Sequence, residues 1–389
     1  MKGVPILKYT ANGNNFVIVD ETRRPFLTEK EKSAFAYRAT DINYGVGSDN
    51  LLIIQPCTPK ILRTISGNRG YWNKVPDASK ADYIFRMFEP NGVEAFSCAN
   101  GLMCIANYFG RQYGIESTRI MTEIPTGVPK VVSIGTYADT AMSWANMGIP
   151  RRIPPNLVEP STTTPYDDTI DTIANIEITF RKYDLAPFSD RQSLKISGYL
   201  VFTGEPHLVI FSDFGLSLKG LPETIFVTSL RDTPELRKEE KRVTFGSWLV
   251  HHIGTYLNRE YAHIFPSGIN VDFVSFNKKA EVVEYRSFER GIYRETLACG
   301  TGALAVSFVA RRLNFLDTNP IIAWPHRSRW HEPDAQILVR EDESGWILYG
   351  SPVPLFEGSF LLQDTVDETR DLQGPEDSPQ TRILAEVMV

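Results

Sequence analysis

Apolar residues alternate with polar ones at the start of the chain. The runs VPILKYT (4–10) and FVIVD (16–20) read as two strands around a Gly13-Asn14-Asn15 turn. A polar helix is predicted near 28–39. Tyr44-Gly45-Val46-Gly47-Ser48-Asp49 then leads into the strand LLIIQ. Residues 57–80 carry Gly, Pro and five basic side chains with little apolar periodicity, and read as an inserted loop. The strand ADYIFRMF follows. Beyond Cys98, the spacing of Leu102, Ile105, Ala106 and Phe109 is helical, and Gly110 and Gly114 help to end that helix. Further strands are predicted in RIMTEIPTG, PKVVSIG and TAMSWANMG.

The stretch 150–190 is rich in Pro, Thr and Asp and reads as a second insertion, with the crossover between two halves just before it. Strands SGYLVFTG and LVIF flank the turn Gly204-Glu205-Pro206-His207. A helix near 244–258 leads to Asn270-Val271-Asp272-Phe273, and AEVVEYRSF is a strand. After Cys299, the residues Ala303, Val306, Ser307, Val309 and Ala310 form another helical stripe. Strands at QILVR, WILYG and LFEGSFLL close the pattern, and residues 363–389 are expected to be a disordered tail.

Two segments of this pattern match. Arg86-Met-Phe-Glu89 precedes Cys98 by twelve residues, counted from the arginine, and Arg286-Ser-Phe-Glu289 precedes Cys299 by thirteen. Glu89 thus mirrors Glu289. Gly13-Asn14-Asn15-Phe16 likewise parallels Gly204-Glu205-Pro206-His207. The expected fold is therefore α/β of the α+β kind, with two pseudo-symmetric halves of mixed, largely antiparallel sheet and a cleft between them. The first half spans 1–145, with strands near 350–362 able to return to it. The second spans 146–349.

At 389 residues, with 42% hydrophobic and 23% charged positions, the composition is that of a soluble globular protein. The formal net charge of -6 gives no electrostatic case for nucleic acid or an anionic membrane. No window reaches eighteen uninterrupted apolar residues, and the N-terminal segment lacks a signal-peptide core, so a cytoplasmic protein is expected. The four cysteines, Cys57, Cys98, Cys104 and Cys299, form neither a disulfide framework nor a zinc-ligand pattern. Cys57 and Cys104 read as packing residues. The histidines make no metal set, and His207 reads as a residue that fixes a turn.

Cys98 and Cys299 each precede a helical stripe. A helix N-terminus favours thiolate over thiol, and its free N–H groups hold a carboxylate. Two such helices aimed into one cleft would grip an α-carboxylate and set a sulfur on either side of Cα. The small residues Ala99, Asn100 and Gly101, and Gly300, Thr301 and Gly302, let a ligand approach the backbone closely.

With these segments in view, the chain resembles the diaminopimelate epimerase family of cofactor-independent amino-acid racemases. The matching segments are Gly13–Phe16, Tyr44–Asp49, Cys98–Gly101, Gly204–His207, Asn270–Phe273, Glu289–Gly291 and Thr296–Gly302. The resemblance implies a diaminopimelate-epimerase-like fold, each half built around a central helix. It implies an isomerase with no cofactor and no metal, acting on a small amino acid, with Cys98 and Cys299 as base and acid. It also implies α-carboxylate binding by backbone N–H groups at Ala99, Asn100, Gly300 and Thr301. Asn14 and Glu289 would hold the reacting end, and Asn270 and Arg290 the far end. Lysine biosynthesis is the role the family implies, and a homodimer is left open.

The departures matter for specificity. Glu89 and Glu205 stand where the family usually has Asn, and both are expected at the distal end of the substrate. Two carboxylates there disfavour a distal carboxylate and favour a cationic or hydrogen-bonding group. The alternatives are a racemase of another, cationic or polar, amino acid and a proton-shifting isomerase on the same fold. A thiol redox or binding protein is the reading of a different class.

Overall fold

The computed structural model describes residues 2–137, 139, 142–182, 184–185, 192–212, 225–226, 236–277 and 280–362. The disordered tail expected at 363–389 lies outside the described residues. The first half contains β1 (Lys2–Ala11), β2 (Asn14–Asp20), α1 (Glu29–Thr40), β3 (Asn50–Pro56), α2 (Pro59–Arg69), β4 (Tyr83–Phe88), β5 (Glu94–Ala95), α3 (Ala99–Tyr113), β6 (Ser117–Thr122), β7 (Lys130–Thr136) and β8 (Ser143–Gly148). Next come β9 (Thr164–Pro165), β10 (Asp171–Thr179), β11 (Ser193–Phe202), β12 (Pro206–Phe211), α4 (Leu236–Glu260), β13 (Asn270–Asn277) and β14 (Val282–Glu289). The chain continues through β15 (Arg294–Glu295), α5 (Gly300–Arg312), β16 (Ile321–Pro325), β17 (Ile337–Asp342), β18 (Gly345–Gly350) and β19 (Val353–Leu362).

Strand pairing repeats from one half to the other. β1 pairs β2 antiparallel, β2 pairs β3 parallel, β3 pairs β4 antiparallel, and β4 pairs β6 parallel before the antiparallel β7 and β8. The same alternation runs from β11 through β12, β13, β14, β16 and β17 to β18. An antiparallel β8–β18 seam joins the halves into one ladder. At the outer edges, β19 pairs β1 as β10 pairs β11. The fold is thus mixed α+β, as expected.

Each half wraps a helix. α3 packs on β1, β7 and β8, strands well separated in the ladder, so the sheet curls around it. Every residue from Ala99 to Phe109 is buried, as is every residue from Gly300 to Ala310 in α5. An apolar run without a polar face needs such a surround. The two helices share one hydrophobic cluster, in which Leu102, Ile105 and Phe109 join Leu304, Val306 and Val309.

Three expectations need correction. Residues 57–80 are not an inserted loop throughout, since α2 lies within them. Thr58 Oγ1 accepts from Ile61 N at 3.3 Å, Pro59 occupies the first turn, and Gly70 closes the helix in the left-handed region at φ 66°. Leu62 and Ile65 then bury against Trp72, Ile84 and Met121. The 150–190 stretch supplies β10, the counterpart of β19, rather than an insertion alone. α4 begins at Leu236, eight residues ahead of the expected 244. Among the described residues no helix is long and apolar enough to cross a membrane.

Candidate active site

The repeated arginine fixes each cysteine in place. Arg86 on β4 forks onto Glu94, with Nε donating to Oε1 at 2.7 Å and Nη2 to Oε2 at 2.6 Å, while Nη1 donates to Glu29 at 2.6 Å. Arg286 on β14 makes the same fork onto Glu295, at 2.6 and 2.7 Å. Each glutamate lies four residues before a cysteine. The fork therefore pins the returning strand that delivers the thiol.

Both cysteines are helix N-caps with extended backbone. Gly101 N donates to Cys98 Sγ at 3.4 Å and Gly302 N to Cys299 Sγ at 3.3 Å. The two N-termini abut. A Cβ added at Gly300 would lie 2.9 Å from Ala99 Cβ and 3.1 Å from Asn100 N, so no larger residue fits there.

One cavity collects Cys98 and Cys299 with Asn14, Glu89, Glu205, Asn270, Glu289, Arg290, Gly300 and Thr301. Ala99 and Asn100 do not line it. Both are fully buried, and the Asn100 side chain is tied behind the lining, donating to Asn14 Oδ1 at 2.7 Å and accepting from Asn12 Nδ2 at 3.1 Å. The cavity measures about 20 Å³, room for about one water. The contacts that span the cleft include Arg294 Nη2 to Asp49 Oδ1 at 2.6 Å, and Glu205 Oε1 accepting from Phe96 N at 2.9 Å.

Closure sets the charge state. Burial pushes both thiols up, and Glu289 adds to the effect at each. Desolvation in the closed cleft thus outweighs the expected thiolate-favouring effect of the helix ends. Glu289 is pushed up to about 8 by burial, against the Thr296 hydroxyl that donates to it, with Asp49 adding to the rise. Burial likewise lifts Glu89 to about 7, with Arg290 opposing.

A stability signature follows. Unfolded, these carboxyls titrate near 4.3 (about the glutamate value). Between there and about 8 the folded state binds more protons than the unfolded one, so stability falls as pH rises through that window. Urea midpoints of the ligand-free protein are expected to be higher at pH 5.5 than at pH 8.5 (on the order of those limits). Glu89→Gln and Glu289→Gln should each flatten the slope, and an unchanged slope in both variants would contradict the assignment.

Reading the sequence missed a polar chain behind Cys299. His207 Nδ1 lies 2.6 Å from Asp272 Oδ2, His207 Nε2 lies 3.0 Å from Thr301 Oγ1, and Thr301 Oγ1 lies 3.4 Å from Cys299 Sγ. His207 and Asp272 are fully buried. Parallel pairing sets His207 against Asn270 on β13, and Asp272 follows two residues along on the same face. In the first half, Phe16 pairs with Asn50 in the equivalent register, and the residues matching His207 and Asp272 are Phe16 and Leu52. Among the described residues, Cys299 is thus linked to such a histidine–aspartate pair and Cys98 is not.

No family model matches the chain. In sequence it is 29% identical over 318 residues to a diaminopimelate epimerase of Methanothrix thermoacetophila, covering 81% of this chain and 84% of that one. It is 26% identical over 313 residues to a diaminopimelate epimerase of Archaeoglobus fulgidus, covering 80% and 82%. It is 28% identical over 326 residues to that of Coxiella burnetii, covering 83% and 88%. Among solved structures, a probable proline racemase from Agrobacterium radiobacter K84 superposes with a TM-score of 0.53 at 10% identity, covering 95% of each chain. A hydroxyproline epimerase from Agrobacterium vitis gives 0.52 at 10% identity, covering 92% of each. These two likenesses bear on the fold.

Proposed function

We propose, from the premise that this chain is a relative of the diaminopimelate epimerases and an isomerase of the epimerase–racemase type, that its cleft inverts Cα of an amino acid with two thiols and no cofactor. One sulfur, as thiolate, takes the Cα proton, and the opposite thiol returns a proton to the other face. The N-terminus of α5, whose Gly300 and Thr301 line the cavity, receives the α-carboxylate, whose oxygens take up the charge released as the C–H bond breaks. His207, held by Asp272, fixes the Thr301 hydroxyl against Cys299 Sγ and so orients that sulfur.

The observation that carries this reading is the pairing of two cysteine-capped helices whose sulfurs line one cavity. A redox protein would need the two thiols but not Asn14, Asn270, Glu289 and Arg290 around them. Diaminopimelate is the substrate named for the sequence relatives, and another amino acid is the second candidate.

The test is direct. Reduced, dialysed protein is incubated in D2O with L-amino acids and the diaminopimelate stereoisomers, and deuterium at Cα is followed by NMR. Exchange is expected without pyridoxal phosphate or added metal. Exchange that appears only when either is supplied would overturn the mechanism.

A further inference from the structure

We propose that the cleft receives a positively charged side chain, with Glu89 as its acceptor, so that the substrate is a basic α-amino acid. This rests on the two-thiol reading of the same site.

Arg290, the one arginine lining the cavity among the described residues, is already engaged. Arg290 Nε donates to Glu205 Oε2 at 2.9 Å, Nη2 donates to the same oxygen, and Nη1 donates to Ser267 O at 2.8 Å. The guanidinium also lies over the Phe96 ring, 4.7 Å from its centroid. Glu205 is equally committed, since its Oε1 accepts from Phe96 N at 2.9 Å and Ser97 N at 3.1 Å. A substrate carboxylate arriving here would have to take the arginine fork from Glu205 while facing it.

Glu89 is different. It lines the same cavity, is 6% exposed, and among the described residues its carboxyl makes no hydrogen bond or ion pair. The chain makes room for it. Gly291, at φ 75°, leaves the space that the carboxyl fills, and a Cβ there would lie 2.0 Å from it. A buried carboxyl without a partner is costly, and such costs gather at binding sites. Arg290 is hydrogen-bonded to Glu205 and reaches Glu89 only through its charge, so two acids share one cation. An ammonium or guanidinium meeting Glu89 forms the missing ion pair, whereas a carboxylate would be a third acid beside two.

Initial rates of Cα deuteration are measured for lysine, ornithine and arginine against glutamine, glutamate and diaminopimelate. The basic amino acids are expected to exceed diaminopimelate and glutamate in kcat/KM by at least about tenfold, the size of a lost charge-assisted contact. In Glu89→Gln the lysine-to-glutamine ratio should fall by at least about tenfold, through KM. Glu205→Asn, which releases the Arg290 fork, should move preference towards diaminopimelate. Preference of the parent enzyme for diaminopimelate or glutamate, or an unchanged ratio in Glu89→Gln, would overturn the inference while leaving the two-thiol mechanism standing. Absence of exchange with every amino acid would overturn that mechanism, and the inference with it.

Discussion

Cys98→Ala and Cys299→Ala are each expected to lower racemisation by at least about 10³-fold, within the range for losing a positioned acid or base. In the two-thiol scheme each sulfur serves one face of Cα, so neither covers for the other. The remaining cysteines are internal controls. Cys104 is buried among apolar neighbours within α3, and Cys57 packs against the cluster around α2. Their alanine variants lose at most about 1 kcal/mol of packing and should stay within about threefold of the parent rate. Circular dichroism and single-turnover exchange on all four variants check this. Racemisation near the parent rate by either of the first pair would exclude the mechanism.

The second large effect is expected at the arginine forks. Arg86→Met and Arg286→Met should each cost about 3–5 kcal/mol, because each takes the forked guanidinium away from a buried carboxylate. Arg86→Met would leave Glu94 without its cation, while Glu29 keeps Lys32 and Arg69, and Arg286→Met would leave Glu295 only Arg327, 3.8 Å away. Arg86→Met combined with Glu94→Gln should recover part of the loss, since one stranded charge is removed with its partner. Urea unfolding measures both, and an unmoved midpoint in either single variant would show that the forks carry no stability.

These arginines show what the sequence made legible. The repeat itself was visible as a spacing, because Arg-x-Phe-Glu sits on one strand and the cysteine follows within one turn of chain. Its purpose was not visible, since the fork closes between strands, from Arg86 to Glu94 and from Arg286 to Glu295. The helix N-caps at Cys98 and Cys299 were readable for the same local reason. The His207–Asp272 contact was not, because it depends on a parallel register linking residues 65 apart. Neither was the Glu205–Arg290 pair, which joins residues 85 apart. Glu205 and Arg290 were both expected near the distal end, but only the fold shows that they satisfy each other. α2 was missed because its apolar signal is three residues, Ile61, Leu62 and Ile65, in a stretch otherwise polar and basic.

The pairing of β19 with β1 has a consequence for synthesis. Lys2 meets Leu362 across that ladder, so the opening strand waits for a partner some 350 residues behind it on the ribosome. The second half has no such delay, since β10 precedes β11 directly. The earlier-made half therefore finishes later, and during translation it presents Lys2–Ala11 as an open edge, the kind of surface that chaperones cover. Shortening the chain before Val353 would make that temporary exposure permanent.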